Sequence, residues 1–139
     1  ATTSYDNTVR IWDRATGICT AILDGHTGQV FSVAIAPDGT WLATTSYDNT
    51  VRIWDRTTGI CTAILDGHTG PVLSVAIAPD GTWLATTSDD NTVRIWAVLE
   101  RRTVAISRAD AKLTTCSWGT AGELAMGSNR GLFLFILLT

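Results

Sequence analysis

The sequence predicts an all-β fold built from repeated units of four short antiparallel strands. Three observations carry that prediction. The string TVRIWD at residues 8–13 returns at 50–55 and, as TVRIWA, at 92–97, a step of 42 residues each time. Turn signals break each repeat into runs of five to seven β-prone residues. No stretch sustains the 3.6-residue apolar period of a helix.

Residues 29–70 show the unit best. A first run, 30–36, is closed by Pro37-Asp38-Gly39, where proline fixes φ and glycine admits positive φ. The run 40–46 ends at Asp48-Asn49, the run 50–54 at Thr57-Thr58-Gly59, and the run 60–65 at Asp66-Gly67. These are strands a, b, c and d. Their turns are too short for a parallel crossover, so the unit is antiparallel. Residues 1–28 hold a partial unit: the end of strand b, strand c at 8–13 and strand d at 18–23. Residues 71–111 form a full unit with a diverged outer strand. Residues 112–139 form a diverged terminal unit with strands a to c at 112–118, 122–128 and 132–136.

The first copies are nearly identical. Residues 1–28 differ from 43–70 only at Ala15/Thr57. Residues 29–55 differ from 71–97 only at Gln29/Pro71, Phe31/Leu73, Tyr47/Asp89 and Asp55/Ala97. A step of about 40 aligns the terminal unit, setting Leu113 on Leu73, Glu123 on Trp83 and Phe133 on Val93. Atypical terminal units are a general property of repeat proteins.

Composition narrows the function classes. Hydrophobic residues make up 45% of the 139 positions and charged residues 17%, enough apolar content for a packed core. A net charge of −3 without a basic stripe argues against a nucleic-acid partner. The most apolar run, 132–138, is too short to cross a bilayer as a helix, so no membrane partner is expected. Cys19, Cys61 and Cys116 are dispersed, with no CxxC pair, which suits a reducing compartment and a cytoplasmic location. Two histidines 42 residues apart do not make a metal site, and no glycine-rich phosphate loop is present, so no cofactor is expected.

A unit of about 42 residues with Gly-His near its start and Trp-Asp at its end resembles the WD40 repeat. The resemblance implies a β-propeller, in which four-stranded blades circle a central channel. The close copies and apolar ending also resemble the C-terminal propellers of bacterial multidomain signalling proteins. The strand count, about fourteen, gives an incomplete ring in one chain. Completion by further blades of a longer protein is one resolution. Self-association is the other, with strand d of one copy completing the a-b-c blade of the next.

His26, Asp48, Trp54 and a strand-b hydroxyl (Thr44 or Ser46) offer the ingredients of nucleophilic catalysis. Yet the set recurs as His68, Asp90, Trp96 and Thr86 or Ser88. An active site is built once, whereas a set present in every blade solves a problem that every blade has. In the resembled family these four residue types form a hydrogen-bonded chain inside the blade, which implies the same structural role here. In the terminal unit Arg108, Met126, Arg130 and Ile136 fall where His, Thr, Asp and Trp would be.

Trp41, Trp83 and Trp118 are expected between blades, and Cys19 and Cys61 as inert fillers of strand d. Tyr5 and Tyr47 each precede a turn aspartate, at a position that faces the top of the propeller in the resembled family. Three differences between copies fall at or near that face. Tyr5, Gln29, Phe31, Tyr47, Leu73 and Asp89 are therefore candidate contacts for a protein partner. The expectation is a non-enzymatic scaffold or sensor propeller within a larger signalling protein. The alternative is a multivalent glycan- or small-ligand-binding propeller with the tyrosines as platforms.

Overall fold

The computed structural model describes residues 1–136, with side chains through residue 131. Of the apolar run 132–138 the backbone is described as far as residue 136, and residues 137–138 and the side chain of Ile136 lie outside the description. Fourteen strands form four antiparallel sheets. The first sheet contains β1 (Thr2–Thr3), β2 (Val9–Trp12) and β3 (Cys19–Leu23). The second contains β4 (Val30–Ile35), β5 (Trp41–Ser46), β6 (Val51–Asp55) and β7 (Cys61–Leu65). The third contains β8 (Val72–Ile77), β9 (Trp83–Ser88), β10 (Thr92–Ala97) and β11 (Arg102–Arg108). The fourth contains β12 (Leu113–Trp118), β13 (Glu123–Ser128) and β14 (Gly131–Ile136). Within each sheet the strands pair in sequence order, and the described sheets form an open arc rather than a ring.

Turn chemistry explains the hairpins. Asn7, Asn49 and Asn91 take φ of 70°, 70° and 63°, the left-handed conformation that asparagine tolerates best among residues with a side chain. The aspartate before each one caps the turn: Asp48 Oδ1 accepts from Thr50 N at 2.9 Å and from Thr50 Oγ1 at 2.7 Å. On the opposite rim, Thr40 N and Thr40 Oγ1 donate to Asp38 Oδ1 at 2.9 and 2.8 Å, and Gly39 turns the chain at φ 74°.

Burial follows position in the blade. In β5 and β9 five consecutive residues, 42–46 and 84–88, are buried with no alternation, because neighbouring sheets cover both faces. The outer strand β7 alternates buried and exposed residues. Three apolar clusters fill the gaps between successive sheets. Between the second and third, Val51, Ile53, Leu65, Val72, Val75 and Leu84 pack with Trp41 and Trp96. Burying one such leucine contributes about 1.5–3 kcal/mol. β8 touches both β4 and β12, so the first strands of these blades run side by side along the arc.

The ladders correct the alignment of the terminal unit. Its b strand follows a 40-residue step, since Leu124 stands opposite Trp118 as Leu84 stands opposite Ile77. That same pairing puts Trp118 in register with Ile77 and Leu113 with Val72, one residue off the step that set Leu113 on Leu73. The a–b turn is one residue shorter in this blade, and that shortening is invisible in the apolar pattern. Phe135, rather than Ile136, faces Leu124 across the ladder as Trp96 faces Leu84. Ser107 pairs with Val93 as Leu65 pairs with Val51. Counting three residues onward, Asp110 rather than Arg108 occupies the place of His68.

Candidate functional site

One rim of the arc is formed by the d–a loops and the b–c turns. The second and third blades each carry the same four-residue chain there. Trp54 Nε1 donates to Thr44 Oγ1 at 2.9 Å, His26 Nε2 lies 2.7 Å from the same hydroxyl, and His26 Nδ1 lies 2.8 Å from Asp48 Oδ2. In the third blade Trp96, Thr86, His68 and Asp90 repeat this at 2.9, 2.8 and 2.8 Å. The hydroxyl in the chain is the threonine. Ser46 and Ser88 lie alongside it: Ser46 Oγ donates to Gly28 O at 2.8 Å and accepts from Asp48 N at 3.1 Å, tying the d–a loop to the b–c turn. Ser88 does the same with Gly70 O and Asp90 N.

The chain has one consistent proton pattern. The Asp48 carboxylate can only accept, so His26 carries its proton on Nδ1; the neutral ring then presents Nε2 as an acceptor to the Thr44 hydroxyl, whose oxygen accepts from the indole. Burial lowers the pKa of His26 and His68, against the pull of Asp48 and Asp90, so each imidazole stays neutral. Burial alone would raise the Asp48 and Asp90 carboxyls. Hydrogen bonds from Thr50 and His26, and from Thr92 and His68, overcome it and hold Asp90 at about 2. Each His–Asp contact is therefore a charge-assisted hydrogen bond rather than an ion pair.

Two arginines and two glycines, missed in the sequence, complete this packing. Arg94 lies over the Trp96 ring at 5.9 Å. A Cβ on Gly67 would sit 2.8 Å from Arg94 Nη1, and one on Gly25 2.7 Å from Arg52 Nη1. The glycine of each Gly-His pair thus leaves room for a guanidinium. Only a count of volumes across the blade could have found this.

Above the chain lies the exposed face. Tyr5 is 84% exposed and Tyr47 62%. Tyr47 N donates to Gln29 O at 2.9 Å, and the Tyr47 ring tilts against Phe31 with centroids 6.4 Å apart. In the third blade Leu73 is half-buried and Asp89 N donates to Pro71 O at 2.9 Å. The Asp89 carboxylate meets Lys112 Nζ of the next blade at 2.7 Å. Lys112 was not singled out from sequence, because it enters through the loop that joins the diverged unit. Gln29, Phe31 and Tyr47 thus come together, whereas Asp89 is engaged by a neighbour.

The remaining sequence assignments fall as follows. Trp41 packs into the cluster between the second and third sheets, and Trp83 and Trp118 into that between the third and fourth. Cys19, Cys61 and Cys116 are unpaired. Burial pushes the Cys116 thiol up to about 12. Among the described residues no cluster of three or more His, Cys, Asp or Glu could hold a metal ion, and no helix is long and apolar enough to cross a membrane.

A fold of repeated antiparallel blades, with a Trp–Thr–His–Asp chain locking the two complete ones, defines the class of WD-repeat propellers. The chain belongs to that family: the description "WD domain, G-beta repeat" matches residues 1–13, 17–55 and 59–97. It is 56% identical to mouse Coronin-7 over 43 residues, which cover 31% of this chain and 5% of that protein. It is 49% identical to the human F-box-like/WD repeat-containing protein TBL1Y over 41 residues, 30% of this chain and 8% of that one. It is 53% identical to the WD repeat-containing protein pop1 of Schizosaccharomyces pombe over 34 residues, 24% of this chain and 4% of that one. The chain therefore spans under a tenth of these relatives' length. WD repeats serve generally as scaffolds for protein–protein interaction rather than as enzymes.

Proposed function

We propose that this chain is a non-enzymatic scaffold that holds a protein partner on the rim carrying Tyr5, Gln29, Phe31, Tyr47, Leu73 and Asp89. The observation that carries the proposal is Tyr47. It stands 62% exposed on a turn whose backbone is fixed from below by Ser46, Asp48 and Gln29. A rigid aromatic held up by a satisfied hydrogen-bond network loses little entropy on binding. The Trp–Thr–His–Asp chains are framework in this reading, since a neutral imidazole sealed between Thr and Asp has no free nitrogen for a substrate. Unpaired cysteines fit a cytoplasmic, reducing setting, and a sensor propeller of a larger signalling protein is the role we assign.

The experiment compares partners cross-linked by the parent chain with those cross-linked by a Tyr5→Ser/Tyr47→Ser variant and by Leu99→Ser on the opposite rim. Loss of the same partner from the tyrosine variant alone, at unchanged melting temperature, supports the scaffold. Equal capture by all three removes this rim from consideration. Binding of simple glycans to the parent and not to the tyrosine variant would favour the ligand-binding alternative. Self-association by strand sharing has its own observation: Ile18 and Ile22 flank or occupy the outer strand β3 at 63% and 58% exposure. Light scattering that finds only monomer would end that reading.

A further inference from the structure

A cavity on the rim opposite the tyrosines belongs to no repeated feature of the blades. Its volume is about 400 Å³, within the range of small-ligand sites. It is lined by Ala78, Pro79, Asp80, Thr82 and Trp83 of the third blade and by Trp118, Thr120 and Gly122 of the fourth. Two departures from the repeat create it. Trp118 stands in the register of Ile77, and the shortened a–b turn puts Thr120 where another aspartate would follow the step from Asp80.

The lining has a definite chemical character. Two indoles face the space, and the Trp118 N–H is already engaged by Ala76 O at 3.1 Å, so what its ring has left to offer is π surface. Asp80 Oδ1 accepts from Thr82 N and Thr82 Oγ1 at 2.9 and 2.7 Å, which fixes the carboxylate, while Oδ2 has no partner among the described residues. A side chain added at Gly119 would strike the Glu123 carboxyl, so a second acid stands beside the Trp118–Thr120 segment. Among the described residues no lysine, arginine or histidine lines the cavity. Aromatic faces with a fixed anion and no competing cation attract positive charge that is weakly hydrated. Of the directional donors that a polyol requires, the Thr82 hydroxyl is already committed to Asp80, which leaves the Trp83 indole N–H and the Thr120 hydroxyl.

We propose that this cavity binds an organic cation of the methylated-ammonium class, with the Trp83 and Trp118 indoles as its walls and Asp80 as its counter-charge. The site is independent of the tyrosine rim, so the scaffold reading can fail while this one stands, and the reverse. An unmethylated ammonium would bind more weakly because it gives up more hydration on entry.

The test is a titration of the 139-residue chain with tetramethylammonium, followed through the indole N–H resonances of Trp83 and Trp118. Neopentyl alcohol serves as a neutral probe of similar shape and methyl glucoside as a sugar probe. The expected result is saturable movement of those two indole signals with tetramethylammonium alone. Asp80→Asn, which keeps the turn's acceptor and removes the charge, should weaken binding roughly fivefold. Trp118→Ile, the residue found at this register in the third blade, should weaken it by at least as much. Equal movement with neopentyl alcohol, a preference for methyl glucoside, full affinity in Asp80→Asn, or no saturable shift would each overturn the proposal.

Discussion

Thr44 Oγ1 lies 2.7 Å from His26 Nε2, and this contact joins the indole end of the blade chain to its carboxylate end. The Asp48 carboxylate, an acceptor only, holds a proton on His26 Nδ1, and burial disfavours a second proton, so Nε2 accepts from Thr44. The imidazole therefore serves as a neutral link between an indole and a carboxylate. The third blade repeats the contact at 2.8 Å between Thr86 and His68.

Removal of the link should be costly. His68→Ala leaves Asp90 and Thr86 without their buried partner, and an orphaned polar group costs about 1–3 kcal/mol. Urea unfolding should show a lower midpoint by that amount. An unchanged midpoint would mean that the chain contributes nothing to stability.

Acid should destabilise the fold in two stages. His26 and His68 have folded pKa values below the ordinary imidazole value of 6.5, so the unfolded chain binds their protons first. Stability contributed by the neutral imidazoles is present above about 6.5 and is lost as pH falls from there toward the lowered folded values. Asp48 and Asp90 are also depressed, Asp90 to about 2, so a second loss sets in below the ordinary carboxylate value of 3.8. Thermal melts from pH 8 to pH 3 should show a melting temperature that only falls. A rise between pH 7 and pH 5 would contradict the assignment of neutral histidines.

Burial separates two tryptophans that share the TVRIW motif. Trp54 is 1% exposed and bonded to Thr44, whereas Trp12 is 39% exposed and bonded to Thr2 at 2.9 Å. Trp54→Phe should cost about 2 kcal/mol or more by opening a void and orphaning Thr44. Trp12→Phe should cost less than about 1 kcal/mol, because water can replace its contacts. Paired denaturation curves measure the difference.

Arg101 holds φ 54° at the position where the preceding blade has Gly59 at 71°. The left-handed region costs a side-chain-bearing residue about 1–2 kcal/mol. Arg101→Gly should therefore stabilise the chain by about 0.5–1 kcal/mol, part of the gain being offset by a more flexible unfolded chain. A higher urea midpoint at unchanged slope is the expected reading, and a lower midpoint would show that the arginine makes a compensating contact.

The architecture was legible because repetition turns one reading into several. The Pro-Asp-Gly and Asp-Asn turns, the four runs between them and the two full sheets follow from letters that recur at 42 residues. The choice of Thr44 over Ser46 was not legible. Both are fully buried on the same strand and, being two residues apart, point to the same face; position along the strand decides, since Trp54 N–H reaches Thr44 at 2.9 Å while Ser46, at the strand end, bonds Gly28 O. The offset of Trp118 was not legible either. A turn shortened by one residue changes every pairing on strand a while leaving the apolar pattern nearly intact. Lys112 meets Asp89 across blades, and Gly67 makes room for Arg94 from the loop before the blade, contacts of which a linear motif holds no record.

The most direct test of the central claim is the tautomer and titration of His26 and His68, read from long-range nitrogen–proton correlations of the imidazoles. The account predicts a proton on Nδ1 and none on Nε2 in both rings at pH 7, with no titration near 6.5. A proton on Nε2, or a midpoint close to 6.5 in either ring, would contradict it and would return both histidines to the pool of groups free for chemistry.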